Sequence, residues 1–493
     1  MILKDFLLIT SLSVLATCSS WATEVPIEDF SLKPYSQNVN DYLSTKADDY
    51  STSLVTEAYQ KQQLARFYNH YYASDSQGLS PWSQEMVRAT LPLVKRIELA
   101  QLESFSNQNK APLDRHYSEN FKEQSQSWWN KIKQNMNLSS LDTNYYQEAN
   151  RAIAIRNTHA RTLPDEAPDF FHFSLPGQGY PFDNLQDSSV WVGTPLYVIT
   201  TSQDRAWSLV LTPDSYFSWV KSSDIAYASG DFVNQWQHAA QQKLVAITKT
   251  ETIISNTQEN FQFKAYIGAV FPLAQRNDAQ TKILIPVKDR HNQAAIRTAL
   301  VSVSDSELMP LQASPKNLAR ILRELQNRPY GWGGLYFFND CSQEMKSLFA
   351  PFAIWLPRNS GAQGNLNSAL DLTKEGLDER LATLKEKGHP LMTLIYLGGH
   401  VMLYLGNKTI DNQQEAISYQ NVWGLSPQNR DKRYVIGQSA FLPILKYFPE
   451  NPDINSQGNA RYFRLIYLDQ LDSSTESAKT IAKQFLVRTK QTP

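Results

Sequence analysis

Cysteine is almost absent from this chain. Only Cys18 and Cys341 occur among 493 residues, which excludes a disulfide framework and any cysteine-rich metal site. An excess of one charge is also lacking. Forty-seven Lys and Arg stand against 48 Asp and Glu, so no bulk field draws the protein to nucleic acid or to an anionic membrane. After residue 22 no apolar run approaches the roughly 20 residues of a membrane span. His70, His116, His159, His172, His238, His291 and His389 show no metal-ligand spacing, and no repeat at a solenoid period stands out. Neither a metal nor an organic cofactor is implied.

What is present is a globular composition. The charged share of 19% is below the usual quarter, but 42% hydrophobic and 12% aromatic residues argue against disorder, and the length suggests two to four domains. Residues 1–22 read as an export signal: Lys4, an apolar run from Phe6 to Ala16, then small residues. Ser20-Trp21-Ala22 fits a cleavage site that frees a soluble chain. Leu15-Ala16-Thr17-Cys18 is similar to a lipobox, which would end the signal at 17 and place a lipid anchor on Cys18. By either route, one thiol remains, Cys341.

Residues 23–50 are polar and are expected to be an extended lead-in, within an N-terminal unit of 23–150. Leu54, Ala58, Leu64 and Phe67, then Met86, Ala89, Leu93 and Ile97, repeat near 3.6 residues and predict two helices, with a third around Trp128, Trp129 and Ile132. From 151 to 228 short apolar runs alternate with turn residues, predicting a small all-β unit. A second unit spans 229–313, with strands expected at Leu244–Ile247, Ala265–Val270 and Ile283–Val287. From 314 to 475 the pattern is mixed, with helices at Asn317–Leu325 and Cys341–Phe352 and buried strands at Leu391–Leu397 and Val401–Leu405. The tail, 476–493, reads as a loosely packed polar helix.

The chemistry-bearing stretch is Tyr330-Gly-Trp-Gly-Gly-Leu-Tyr-Phe-Phe-Asn-Asp340-Cys341-Ser342. The glycines make a tight, non-helical approach, Asp340 stands at a helix N-cap, and Cys341 follows in the first turn. There, free backbone N–H groups and the positive dipole end are expected to lower the thiol pKa. Gly398-Gly399-His400-Val401 sets an imidazole at the start of an apolar strand, suited to act as the base. Ser418-Tyr419-Gln420-Asn421 offers an amide to orient the ring, from either Gln420 or Asn421, because strand alternation points only one inward. Trp332 and Trp423 read as packing residues.

The ordered set Tyr330-x-Trp-Gly-Gly, Asp340-Cys341-Ser342, Leu356-Pro-Arg-x-Ser-x-x-Gln363 and Gly-His400-Val resembles the NlpC/P60 cysteine peptidases. Upstream, Arg161-x-Leu-Pro, Gly177-Gln-Gly-Tyr-Pro-Phe-Asp183, Gly193-Thr-Pro-Leu and Ser202-x-Asp-x-x-Trp207 resemble a bacterial SH3 (SH3b) domain. The resemblance implies a multidomain α+β chain: an N-terminal helical segment, two small SH3-like β-barrels and a C-terminal papain-like α+β domain. It implies Cys341 as nucleophile, His400 as base, Gln420 as the third member, and Tyr330 as an oxyanion donor. Asp340 and Ser342 would meet the free amine of the substrate's L-Ala, and the loop around Tyr180 and Asp183 would close one end of the groove.

The activity so implied is hydrolysis of the γ-D-glutamyl to L-diamino-acid bond of peptidoglycan stem peptides. The implied partners are muropeptides with a free N-terminal L-Ala. The setting would be exported, in the periplasm or cell envelope, soluble or lipid-anchored, or else secreted, with a monomer expected. Two rivals stand beside it: a non-catalytic SH3b wall-binding scaffold, and amidase or acyl-transfer chemistry on the same fold.

Overall fold

The computed structural model describes residues 25–143, 145–472, 474 and 476–488. The expected export segment 1–22, including Cys18, lies outside the described residues. The N-terminal helices form where the 3.6-residue periodicity places them: α1 (Glu57–Tyr71), α2 (Gln84–Ser104) and α3 (Gln126–Asn135). Thr56, Ser83 and Ser125 cap them, each side chain accepting a first-turn backbone N–H. The apolar stripe of α2, with Met86, Val87, Val94, Ile97 and Leu102 buried, packs against the first β unit beside Trp219 and Leu209.

Two seven-stranded antiparallel sheets follow. The first runs, in spatial order, Gln186–Val190, Thr158–Arg161, Phe217–Lys221, Trp207–Leu211, Pro195–Thr201, Arg151–Ala154 and Ile225–Tyr227. The second is opened by a helix absent from the sequence expectation, α4 (Gly230–Gln242), which buries Phe232, Val233, Trp236 and Ala240. The strand expected at Ala265–Val270 is instead split. One strand ends at Ala265, the next begins at Val270, and Ala269 N–H closes the turn onto the Tyr266 carbonyl at 3.0 Å. Gly268, at φ +97° in that turn, is why the run cannot stay extended.

The C-terminal part carries α5 (Pro315–Leu325), α6 (Cys341–Phe349), α7 (Ser360–Gln363) and α8 (Leu377–Lys387). They accompany a seven-stranded sheet in the order Ile27–Asp29, Arg433–Pro443, Gln413–Leu425, Val401–Ile410, Thr393–Tyr396, Arg464–Tyr467, Ala369–Asp371. Its core joins Leu318, Leu322, Met345 and Phe349 from α5 and α6 to Val401, Leu403, Tyr419 and Phe441 from the strands. The polar lead-in is part of this body. Ile27–Asp29 pairs parallel with the sheet edge at Arg433–Val435, which covers an otherwise open edge, and Val39 and Leu43 enter the core.

The tail is also more tightly held than its polarity suggests. In α9 (Ala478–Arg488), Ala478, Ile481, Ala482 and Phe485 are buried, and Phe485 meets Phe217 at 4.5 Å between ring centroids. Just before it, Glu476 receives Arg66 at 2.6 Å and His70 at 3.1 Å. The chain's end is thereby tied to α1. No helix among the described residues is long and apolar enough to cross a membrane.

Candidate active site

The six site residues expected from sequence converge where α6 begins. Asp340 caps α6, its Oδ1 accepting from Gln343 N–H at 2.8 Å, and this sets Cys341 in the first turn. The hairpin joining Thr393–Tyr396 to Val401–Ile410 brings Gly399 and His400 over that turn. Cys341 Sγ lies 4.0 Å from the Gly399 carbonyl, and the Val401 backbone N–H favours its thiolate form, so the thiol faces the backbone that flanks His400. Gly399, at φ +100°, supplies the sharp reversal that this approach requires.

His400 Nε2 is 2.8 Å from Gln420 Oε1. Gln420 is completely buried, and its amide is fixed by Gln457 and Ser418: Gln457 Nε2 donates to Gln420 Oε1 at 2.9 Å, and Gln420 Nε2 donates to Ser418 Oγ at 3.0 Å. Because Oε1 can only accept, Nε2 carries the ring proton and the lone pair sits on Nδ1. Asn421, the other sequence candidate, faces away from the imidazole and donates to the Asn339 carbonyl at 2.9 Å. Tyr330 stands within electrostatic reach of Cys341 and Asp340, and burial with these neighbours raises its phenol well above the ordinary range. It therefore remains a proton donor.

One electrostatic expectation is reversed. Burial and the Asp340 carboxylate push the Cys341 thiol up to about 12, against Arg358 and the N–H groups of Val401 and Ser342. Burial likewise lowers His400, opposed by its bond to Gln420 and by Asp340. Both shifts favour the uncharged forms, thiol and imidazole. The helix N-terminus does not produce a thiolate here because the thiol is desolvated and an acid precedes it.

Arg358 was visible in the sequence only as part of a pattern; the structure gives it a place. It is fully buried and grips Asp340 bidentately, with Nη2 to Oδ2 at 2.7 Å and Nη1 to Oδ1 at 3.1 Å. It also donates from Nη1 to Ser342 Oγ at 2.9 Å and from Nε to Ser188 Oγ at 2.8 Å. Asp340, expected to face a substrate amine, is thus already paired, and Oδ2 keeps the freer lone pair. Ser188 belongs to the first β unit, whose edge strand packs on the glycine loop. Ser189 Oγ donates to the Gly334 carbonyl at 2.7 Å and Gln186 Nε2 to the Gly333 carbonyl at 2.9 Å. A Cβ on Gly334 would lie 2.3 Å from Ser189 Oγ, so only glycine admits this contact.

Trp332 donates its indole N–H to the Asp183 carbonyl at 3.1 Å, and Phe182 packs edge-on against both Trp332 and Trp423. Asp183 itself is buried against Arg161, which removes its carboxylate from any substrate groove. Tyr180 remains half exposed beside Phe170 and Phe121.

Family comparisons agree in order along the chain. Residues 327–434 match the NlpC/P60 family model. The chain carries an NlpC/P60 family domain there. Residues 6–141 match the NLPC_P60 stabilising domain, N term, residues 168–221 an SH3 domain of SH3b1 type, and residues 229–277 an SH3 domain of SH3b2 type. An NlpC/P60 endopeptidase from Photobacterium damselae subsp. piscicida is 27% identical, over 88% of this chain and 98% of its own, with a TM-score of 0.74. An NlpC/P60 family protein from Bacillus cereus ATCC 10987 is 15% identical over 62% of this chain and 98% of its own, with a TM-score of 0.41. No curated protein matches the chain. The NlpC/P60 chain therefore combines a helical N-terminal region, two SH3b domains and a peptidase domain of a family of cysteine peptidases.

Proposed function

We propose that the protein is an exported endopeptidase that cleaves the γ-D-glutamyl to L-diamino-acid bond of peptidoglycan stem peptides. The carrying observation is the line from Gln420 through His400 to the start of α6: an imidazole held at 2.8 Å by a buried amide, with the thiol facing the backbone that flanks it. The SH3b domains, whose first member touches Arg358, favour a wall-derived substrate.

In this reading the Cys341 proton passes to His400 Nδ1 as Sγ attacks the γ-carbonyl carbon, forming the C–S bond. The carbonyl oxygen takes the electron pair, and the Tyr330 hydroxyl donates to it. The intermediate collapses as the C–N bond breaks and His400 returns its proton to the leaving diamino-acid nitrogen. Water then adds to the thioester, giving a proton to Nδ1; the C–S bond breaks and the thiolate regains that proton. Gln420 orients the ring but carries no charge to offset an imidazolium, which suits a site that starts neutral. A free L-Ala amine is received by Asp340 Oδ2, with Ser342 beside it and Arg358 holding the carboxylate still.

Mass spectrometry of muropeptide digests tests the reading. Wild type is expected to split L-Ala-γ-D-Glu from the diamino acid, N-acetylated peptide is expected to resist, and Cys341→Ala is expected to be inert. Cleavage by Cys341→Ala removes the mechanism. Wall binding without any cleavage by wild type leaves the scaffold reading, and cleavage at another bond leaves the amidase one.

A further inference from the structure

One acid beneath the site takes no part in that chemistry. Glu344 lies one turn after Cys341 on α6 and is completely buried. Such a carboxylate is strongly disfavoured unless its oxygens are met by donors, and among the described residues no cation forms an ion pair with it. Neutral donors meet it instead. Asn339 Nδ2 donates to Oε2 at 2.7 Å, and the Tyr419 hydroxyl makes a short bond to Oε1.

Those two partners sit at a junction. The Asn339 carbonyl receives Gly331 N–H at 3.0 Å, closing the glycine loop that follows Tyr330, and Asn421 Nδ2 at 2.9 Å from the strand of Gln420. Tyr419 directly precedes Gln420, and Asp340 and Cys341 directly follow Asn339. One carboxylate therefore stands beneath three of the segments that carry a reacting or orienting group: the Tyr330 loop, the start of α6 and the strand of Gln420.

We propose that Glu344 is a positioning residue for the peptidase reaction, its two oxygens holding the Tyr330 loop, the start of α6 and the strand of Gln420 in one register. This rests on the functional reading above. Asn339 Nδ2 can only donate and needs an acceptor, and the Tyr419 hydroxyl donates to the other oxygen, so a carboxylate that accepts at both oxygens meets both tethers as they stand. Burial raises Glu344 to about 7, although Tyr419, Asn339, Arg328 and Asn421 favour its charged form. The titratable and charged groups facing it are Tyr419 from the Gln413–Leu425 strand and Arg328 from the loop after α5, Arg328 itself lying 3.5 Å from Glu251. Protonation puts a hydrogen on one oxygen, which breaks the bond from Asn339 or reverses the one from Tyr419, and either change alters the register that the two bonds hold.

The experiment measures kcat, KM and the second-order rate of Cys341 alkylation by iodoacetamide from pH 5 to 9, in wild type, Glu344→Gln and Tyr419→Phe. Wild type is expected to show a step near pH 7 in kcat and in alkylation. Glu344→Gln has one acceptor and one donor; its kcat is expected to fall about 10- to 100-fold, as for a misplaced catalytic group, with KM little changed and no step. Tyr419→Phe removes a bond that favours the carboxylate, so the step moves to higher pH, a readout that a merely structural role would not shift. A wild-type kcat and step in Glu344→Gln overturns the proposal, as does an unmoved step in Tyr419→Phe if the first variant does not fold. Should wild type cleave no stem peptide, the functional reading fails by itself, and the alkylation profiles still decide the role of Glu344.

Discussion

Asp340→Asn offers the sharpest test of the site's electrostatics. The Cys341 thiol stands at about 12 against an ordinary 9.0, three units or about 4 kcal/mol disfavouring the thiolate. At pH 8 that reduces the thiolate fraction about a thousandfold. A more basic thiolate is also a better nucleophile, with a Brønsted slope of about 0.4–0.5, so alkylation should be about fiftyfold slower than for a free cysteine. The Asp340 carboxylate is the largest cause after burial. Asparagine keeps the N-cap while removing the charge. A neighbouring charge is worth about 1–3 units, so alkylation should accelerate about 3- to 40-fold after the same nucleophilicity correction. Arg358 lowers the thiol pKa, so Arg358→Met should act in the opposite direction and slow the reaction. The assay is iodoacetamide labelling of Cys341 followed by mass spectrometry across pH 6 to 10, with circular dichroism to check the fold. A wild-type thiol that reacts with a plateau below pH 7, or two variants that move the rate in the same direction, would refute the neutral-pair account.

Gln420→Glu adds a charge to the atom that holds His400 Nε2; the imidazole pKa rises, and the acid limb of kcat moves to higher pH, read from a pH–rate profile. Gly334→Ala puts a Cβ 2.3 Å from Ser189 Oγ at a residue with φ +80°; the SH3b contact with the glycine loop should open, seen as faster proteolysis and lower kcat. Glu476→Gln breaks a pair with the buried Arg66 and should destabilise the chain by about 3–5 kcal/mol, measured by denaturant unfolding; an unchanged midpoint would show that α9 is not fastened there.

The motif residues were legible because their chemistry depends on types at fixed spacings. Asp before Cys at a helix start, a histidine after two glycines and an amide-bearing strand can be read in one dimension, and the structure brings all six expected residues together. The helices at Glu57–Tyr71, Gln84–Ser104 and Pro315–Leu325 were legible through periodicity. The tail misled because polarity describes the exposed face of a helix, whereas Ala478, Ile481 and Phe485 form a narrow apolar stripe whose meaning depends on what it meets. The split at Gly268 and the helix Gly230–Gln242 were missed because short apolar runs do not distinguish a strand from a turn or a buried helix face.

By itself, the sequence determined which family this chain resembles, which thiol and imidazole it has to work with, and that a disulfide framework or a cysteine-rich metal site is absent from its plan. Tertiary structure decided what those groups are. Whether Gln420 or Asn421 meets His400 depends on the twist of one strand against its neighbours. That Asp340 is held by Arg358, itself held by Ser188 of an SH3b domain 170 residues away in sequence, depends on how two domains pack. The protonation state of Cys341 depends on burial. A residue's type states which bonds it can make, while solvent exclusion and the positions of distant charges, both properties of the folded chain, decide which bonds and which charge it has.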